Sequence, residues 1–264
     1  MGKILKKDLK IFLDSIYRKY KNKHSSKDPV WTLHDFNEAK DIEVAGLITS
    51  CYSYGQVDQI NGFIRRFLKN IDFKVHEFTS NFSQQKDKKF LKGLYYRFNS
   101  EDDLASLLSN ISLALNDNGS LQNLFSKNYS SKDQNIIPAL SAFAKKLNTE
   151  INTGSSYRYL IPLPEKNSTC KRLNLFLRWM VRKDSIDTGI WTSVDKSKLV
   201  MPVDTHIYRI SMDLGLAKRK SCDMKFAVEL TETLRSFDKD DPVKYDFALC
   251  HIGIDKERNN FLSD

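Results

Sequence analysis

Residues 160–216 carry clear helical signals and read LIPLPEKNSTCKRLNLFLRWMVRKDSIDTGIWTSVDKSKLVMPVDTHIYRISMDLGL. Apolar side chains recur at three- and four-residue intervals over 173–181 and 207–214, which is the spacing of one face of an α-helix. The sequence Pro-Val-Asp-Thr at 202–205 precedes the second segment, and Asp or Thr is typical of a helix N-cap. The stretch therefore predicts two helices with a long connection between them.

The same helical spacing extends over most of the chain. Alternating patterns typical of strands are scarce; 157–163 is the one candidate, and Pro162 and Pro164 would cut it short. Ser100 before two acidic residues predicts a helix start, and Asp240-Asp241-Pro242 predicts the start of the last long helix. We therefore predict an all-α fold with eight or more helices. The further segments with helical spacing are 5–20, 44–68, 104–115, 137–147, 226–234 and 245–252.

The composition favours an anionic partner. The chain has 42 Lys and Arg against 33 Asp and Glu, a formal net charge of +9. Such a surplus favours nucleic acid or anionic membrane as a partner, although it also serves solubility alone. No apolar run approaches the roughly 20 residues needed to cross a bilayer, and the first ten residues lack the apolar stretch of a signal peptide. We therefore expect a cytoplasmic protein that does not bind membranes.

The cysteines argue against a bound metal. Cys51, Cys170, Cys222 and Cys250 are widely spread and form no paired CxxC motif. Structural zinc sites and iron–sulfur clusters generally use closely spaced pairs of cysteines. We therefore expect reduced thiols, no metal site and no cofactor.

One motif within 160–216 indicates a family. Val203-Asp204-Thr205-His206 is followed by Arg209 and then by Leu-Gly-Leu at 214–216. This order resembles the helix-hairpin-helix DNA glycosylase superfamily, whose endonuclease III-like members carry a Val-Asp-Thr-His segment before a helix with Arg and Leu-Gly-Leu. The resemblance implies that Asp204 is the catalytic carboxylate. The alternative is that Asp204 serves only as a helix cap.

Lys171 is the matching nucleophile. Lyases of this superfamily place a catalytic lysine at the start of the second hairpin helix, and Lys171 opens the predicted helix that ends near residue 182. Lys171 and Asp204 are 33 positions apart in the chain. This spacing is longer than in endonuclease III-like enzymes and looks closer to that of the archaeal 8-oxoguanine glycosylases. The alternative for Lys171 is a solvated basic face without catalysis.

The chain also departs from the superfamily. The usual hairpin contains Leu-Pro-Gly-Val-Gly, whereas 163–168 contains no glycine. Phosphate binding would then depend on Ser168, Thr169 and the N-terminus of the following helix. The four-cysteine cluster of endonuclease III is absent as well. Elsewhere, 44–60, 171–182 and 241–249 look like a bacterial protein family that is associated with this superfamily.

The predicted helix from Lys171 has two faces. At about 100° per residue its apolar side chains form one stripe and its basic side chains another. The predicted DNA contacts are Ser168, Thr169, Arg172, Arg178, Arg182, His206 and Arg209. Trp191 and Tyr245 are candidates for a base pocket. For His206 a structural role is the alternative, and for Trp191 and Tyr245 it is packing in the core.

The resemblance implies one function for these residues. A two-lobed helical bundle, with a lobe crossing near 161–168, would bind double-stranded DNA and take a damaged base out of the stack. Asp204 would stabilise positive charge on the sugar, and Lys171 would form a Schiff base that permits strand scission. No obligate protein partner is inferred.

Two other functions remain open. One is a non-catalytic nucleic-acid-binding protein on the same scaffold, which the missing hairpin glycines favour. The other is a helical adaptor with a generic basic surface. In a catalytic site Lys171 and Asp204 should lie within several ångströms of each other, whereas in an adaptor they should point apart.

Overall fold

A computed structural model describes residues 6–21, 27–148 and 154–255 of the chain. Within these ranges there is no β-strand, only isolated bridges between Tyr96 and Asn99 and between Lys183 and Thr188. The predicted all-α fold is confirmed. The described residues form thirteen α-helices: α1 Lys6–Tyr20, α2 Ala39–Cys51, α3 Val57–Asn70, α4 Val75–Ser80, α5 Gln84–Asp87, α6 Glu101–Asn118, α7 Leu121–Ser126, α8 Ile137–Lys146, α9 Ser155–Leu160, α10 Lys171–Val181, α11 Thr205–Asp213, α12 Met224–Arg235 and α13 Asp246–Asp255. They also form four short 3-10 helices: Pro29–Asp35, Lys88–Leu91, Pro164–Lys166 and Lys196–Lys198.

Local hydrogen bonds explain several helix boundaries. Ser100 caps α6 as predicted, and its side chain and that of Asp103 form a reciprocal capping box. The segment 44–68 is divided into α2 and α3 by a turn at Gly55, whose φ of +90° favours glycine. A Cβ at Gly55 would also come within 2.7 Å of Nη1 of Arg97. The positive φ therefore favours glycine at this turn, whereas the end of the flexible Arg97 side chain could move away from a Cβ.

Two local predictions are wrong. The strand candidate 157–163 instead begins within α9, since its first four residues belong to that helix. The last long helix begins at Asp246 rather than at 240–242. The Asp238 carboxylate accepts hydrogen bonds from the backbone N–H groups of Asp240 and Asp241, at 3.1 and 3.0 Å. This local turn competes with helix formation at the predicted start.

The core is organised around α2 and α10. Buried apolar side chains from α1 to α13 form one continuous cluster. Helices α2 and α10 pack against each other, and each is buried at almost every position. Gly46 permits the close approach, because a Cβ there would lie 2.8 Å from Cε of Met180. Lys171, at the N-terminal end of α10, is therefore one of the few positions of this helix that solvent reaches.

Glu43, a residue of α2, accepts hydrogen bonds from two other parts of the chain. Its buried carboxylate accepts hydrogen bonds from the backbone N–H groups of Leu121 and Gln122, at 2.9 and 2.7 Å, and from Nε1 of Trp191 at 2.8 Å. Burial raises the pKa of Glu43, and these three donors oppose the increase. Glu43 thus joins α2 to the start of α7 and to the connection between α10 and α11.

No helix in the described part of the chain is long and apolar enough to cross a membrane.

We expect Glu43→Ala to lower the free energy of unfolding by about 3 kcal/mol, because it leaves three buried donors without an acceptor. Urea denaturation followed by circular dichroism measures this change. Glu38→Ala, at an exposed position just before α2, is the control and should change the value by less than about 0.5 kcal/mol. Equal effects of the two substitutions would contradict the role of Glu43.

Candidate active site

Lys171 and Asp204 lie side by side. Nζ of Lys171 is 3.8 Å from Oδ2 of Asp204, and the two side chains are 28% and 29% exposed. Nζ also donates a hydrogen bond to the carbonyl oxygen of Ser53 at 3.2 Å. Lys171 is the first residue of α10, and Asp204 is the N-cap of α11. Two helix starts therefore bring an amine and a carboxylate together where solvent reaches both.

The Asp204 carboxylate makes two kinds of contact at once. Its Oδ1 accepts hydrogen bonds from the backbone N–H groups of His206 and Ile207, both at 2.9 Å. This is a helix cap, and it leaves Oδ2 facing Lys171. The cap and the catalytic carboxylate, which the sequence presented as alternatives, are therefore compatible in one side chain.

The segment before α10 forms its turn without glycine. Asn167 and Cys170 adopt left-handed backbone conformations, with φ of 58° and 49°. The hydroxyl of Ser168 accepts a hydrogen bond from the backbone N–H of Cys170 at 3.1 Å. The hydroxyl of Thr169 donates to the carbonyl oxygen of Val203 at 2.7 Å, which links the two motifs. This hydrogen bond uses the one proton of the hydroxyl. The Thr169 hydroxyl is therefore not free to donate to a phosphate, contrary to the prediction from the sequence.

The predicted basic face of α10 is wrong for Arg178 and Arg182. Both side chains are buried, at 3% and 4% exposure. Nη2 of Arg178 lies 3.0 Å from Oδ1 of Asp187, and its Nη1 pairs with Asp246. Arg182 pairs with Asp187, and its Nε donates to Asp241 at 2.9 Å. Asp187 from the connection after α10, and Asp241 and Asp246 from the C-terminal part of the chain, pair with these buried arginines. Neither arginine therefore offers an exposed contact for DNA.

Asp246, a member of this ion-pair network, interacts electrostatically with Lys171 and Asp204. Burial raises the pKa of Asp246 to about 6, and the charge of Arg178 opposes the increase. The charges of Lys171 and Asp204 also act on Asp246. A buried carboxyl group with a perturbed pKa is therefore an electrostatic neighbour of the candidate site.

Arg172 is buried for a different reason. Its guanidinium lies 3.9 Å from the ring centroid of Tyr159 and 5.3 Å from that of Tyr54. It donates to the carbonyl oxygen of Tyr159. No carboxylate in the described ranges forms an ion pair with Arg172, and its Nη1 is buried without a hydrogen-bond partner there. Burial lowers the pKa of Arg172. As with Arg178, the predicted exposed DNA contact is wrong.

The two base-pocket candidates belong to the core. The ring centroid of Trp191 lies 5.6 Å from that of Phe125 and 5.2 Å from that of Phe176. Its Nε1 donates a hydrogen bond to the Glu43 carboxylate. Tyr245 is fully buried, and its hydroxyl donates to Asp14 at 2.7 Å. Neither ring has an accessible face on which a base could stack.

The predicted contacts on α11 remain accessible. His206 and Arg209 are both exposed, two and five residues after the Asp204 cap. Three features near Lys171 were missed from the sequence: the Ser53 carbonyl, the rings around Arg172, and Asp246. Nothing in the local sequence connected any of these features to Lys171.

No group of three or more His, Cys, Asp or Glu side chains in the described part of the chain could hold a metal ion.

We expect Arg178→Ala to lower the free energy of unfolding by about 3–5 kcal/mol, because it leaves the buried Asp246 without its counter-charge and removes one of the two arginines that pair with Asp187. Chemical denaturation measures the loss. Arg209→Ala removes an arginine that the structure leaves exposed and should change stability by less than about 0.5 kcal/mol. A loss below 1 kcal/mol for Arg178→Ala would show that the ion pairs do not stabilise the fold.

We expect Asp204→Ala to cost about 0.5–2 kcal/mol, because α11 loses its cap, and Asp204→Ser to remain within about 0.5 kcal/mol of the parent. Serine supplies a capping oxygen but no carboxylate to face Lys171. Thermal and urea unfolding of both variants test this. Equal losses for the two would show that the carboxylate itself, rather than the cap, stabilises the protein.

Comparison with known proteins assigns the chain to a family. Residues 28–255 match the model of a family described as "Protein of unknown function (DUF2400)". No curated protein matches the chain, and no solved structure matches it. Because the matched segment covers most of the chain, this protein belongs to the DUF2400 family.

Proposed function

We propose that this protein is a DNA glycosylase with lyase activity that acts through Lys171 and Asp204. The observation that carries the proposal is the 3.8 Å approach of an accessible amine and an accessible carboxylate. Both residues were assigned from the sequence motif alone, 33 positions apart. An adaptor surface would not require this juxtaposition.

The chemistry begins with proton transfer. Oδ2 of Asp204 accepts a proton from the Lys171 ammonium group, and the neutral amine attacks C1′ of the damaged nucleotide. The bond between C1′ and the base breaks, and the base leaves with the bonding electrons and takes up the proton that Asp204 had accepted, so that Asp204 is a carboxylate again. Asp204 stabilises the positive charge that develops on the sugar during this step.

The covalent intermediate then allows strand scission. The nitrogen passes its second proton to O4′ as the bond between C1′ and O4′ breaks, and its lone pair forms the Schiff base between Nζ of Lys171 and C1′. Removal of a proton from C2′ expels the 3′ phosphate by β-elimination. Hydrolysis of the Schiff base releases the product and restores the Lys171 amine.

The surroundings of the pair suit this sequence of steps. Two backbone N–H groups hold Oδ1 of Asp204, so Oδ2 keeps its orientation toward the amine. The Ser53 carbonyl accepts one hydrogen bond from Nζ, which restricts the amine to one side. Fixed groups of this kind lower the entropy cost of reaching the reactive geometry.

A second candidate is a non-catalytic nucleic-acid-binding protein. The observation that favours it is the glycine-free turn before α10, where the hydroxyl of Thr169 is already committed to Val203. Burial of Arg172, Arg178 and Arg182 further reduces the basic surface near this turn. Binding would then depend on exposed cations such as Arg209. For both functions we propose double-stranded DNA as the partner and a cytoplasmic location.

We expect borohydride to trap a covalent complex between the protein and a duplex with an abasic site, because reduction fixes the Schiff base. Lys171→Gln should abolish trapping, and Asp204→Ser should slow excision of the base roughly 100-fold or more. Gel electrophoresis of the trapped complex and a panel of lesion-containing duplexes measure both effects.

The matched control is Lys166→Gln, at an exposed lysine five positions before Lys171. It should trap as well as the parent protein. Absence of trapping and of excision across the panel would refute the catalytic proposal. Salt-dependent duplex binding without any reaction would then support the non-catalytic function.

A further inference from the structure

Three aromatic rings form a cluster at the surface near Lys171, which we name the aromatic platform: Tyr54, Phe98 and Tyr159. The ring centroids are 5.7 Å apart for Tyr54 and Phe98, 5.0 Å for Tyr54 and Tyr159, and 4.9 Å for Phe98 and Tyr159. Phe98 is 54% exposed and Tyr159 is 43% exposed. Each ring therefore contacts the other two while two of them remain open to solvent.

The platform is assembled from three separate segments. Tyr54 lies in the turn between α2 and α3, Phe98 lies in the loop before α6, and Tyr159 lies in α9. The Tyr54 ring is held in place by its hydroxyl, which donates a hydrogen bond to Oδ1 of Asn99. An ordered aromatic surface with one side open to solvent is typical of a binding site.

Arg97 is held beside the platform in a strained conformation. Tyr96 and Asn99 exchange both backbone hydrogen bonds, at 2.8 and 2.9 Å, so Arg97 and Phe98 form the tip of a tight turn. Arg97 has a φ of 56°, a value that favours glycine. Its guanidinium lies 5.7 Å from the ring centroid of Tyr54. Residues held in rare backbone conformations are concentrated at functional sites.

Arg172 adds a second positive charge on the buried side of the platform. Its guanidinium covers one face of the Tyr159 ring at 3.9 Å. No ion pair with a carboxylate neutralises it within the described ranges. One exposed guanidinium, that of Arg97, therefore lies beside the three aromatic rings, and the buried Arg172 adds positive charge behind them. This combination is complementary to a ligand with flat rings and negative charges.

The platform adjoins the candidate active site. Lys171 bonds to the carbonyl oxygen of Ser53, the residue before Tyr54. Arg172, the residue after Lys171, underlies Tyr54 and Tyr159. A polymer bound across Lys171 would therefore reach the platform with its neighbouring units.

We propose that the platform binds unpaired nucleobases of DNA by stacking, while Arg97 contacts the phosphate backbone. The inference rests on the proposed function in one respect, that nucleic acid is the ligand of this face. Base faces stack on aromatic side chains regardless of sequence, and arginine adds charge and cation–π contacts. In a fully paired duplex the base faces are already stacked on one another, so the platform discriminates in favour of unpaired segments.

The experiment compares two unmodified DNAs of the same length, a duplex with a five-nucleotide single-stranded gap and the fully paired duplex. Fluorescence anisotropy gives the affinity of the full-length protein for each. Phe98→Ala should weaken binding to the gapped DNA about 10-fold, given the usual contribution of stacking to each base. Binding to the paired duplex should change less than twofold.

Tyr95→Ala is the matched control. Tyr95 is 69% exposed and lies in the same loop, but no ring pair in the described ranges includes it. This variant should bind both DNAs as the parent does. Equal weakening by Tyr95→Ala and Phe98→Ala would show a general effect of the loop and would overturn the proposal.

Arg97→Gly separates binding from folding. Glycine relieves the positive φ, so the melting temperature should stay unchanged or rise. Affinity for gapped DNA should nevertheless fall several-fold, because a cation beside the rings is lost. A purely structural role of Arg97 predicts the reverse, lower stability with unchanged affinity, and that result would overturn the assignment.

The same proteins distinguish this inference from the proposed function. If the parent protein traps no abasic duplex but binds gapped DNA in a Phe98-dependent way, the platform is supported and the lyase chemistry fails. If it traps the abasic duplex while Phe98→Ala and Arg97→Gly leave gapped-DNA binding unchanged, the platform fails and the lyase chemistry stands.

Discussion

The burial of two arginines within one helix constrains much of this structure. Helix α10 has neighbours on its basic side as well as on its apolar side, and charged groups in that environment require compensation. Asp187 meets both Arg178 and Arg182, and Asp241 and Asp246 approach from the C-terminal part of the chain. These ion pairs fix the connection after α10 and the start of α13.

The same constraint determines what α10 can offer to a ligand. With its length buried, its N-terminal end at Lys171 meets solvent, beside the cap of α11. The amine and the carboxylate of the candidate site therefore lie at the ends of well-packed helices rather than on long loops. Because both helices are well packed, the amine and the carboxylate can move little relative to each other. A site that uses positioned groups for catalysis requires this rigidity.

A helical wheel of α10 suggests a basic, exposed face, but the structure distributes these positive charges differently. Arginines that share the side of α10 with Lys171 stabilise the interior, whereas Arg97 is placed at the surface by a strained turn. Net charge alone therefore says little about where a polyanion would bind. Aromatic side chains beside the exposed cations are more informative, since they add a shape requirement to the charge.

The sequence by itself determined the helical class and the cap at Ser100, because periodicity and capping are local signals. For Lys171 and Asp204 it gave two candidates through a resemblance, and the tertiary structure brought them to 3.8 Å. Tertiary structure decided which face of α10 is covered and why Trp191 lies in the core. Arg178 meets Asp246 across 68 positions of the chain, and Trp191 meets Glu43 across 148. A helical pattern shows that a side chain lies on a face, but the partner that covers the face comes from a distant segment, and long-range packing alone selects it.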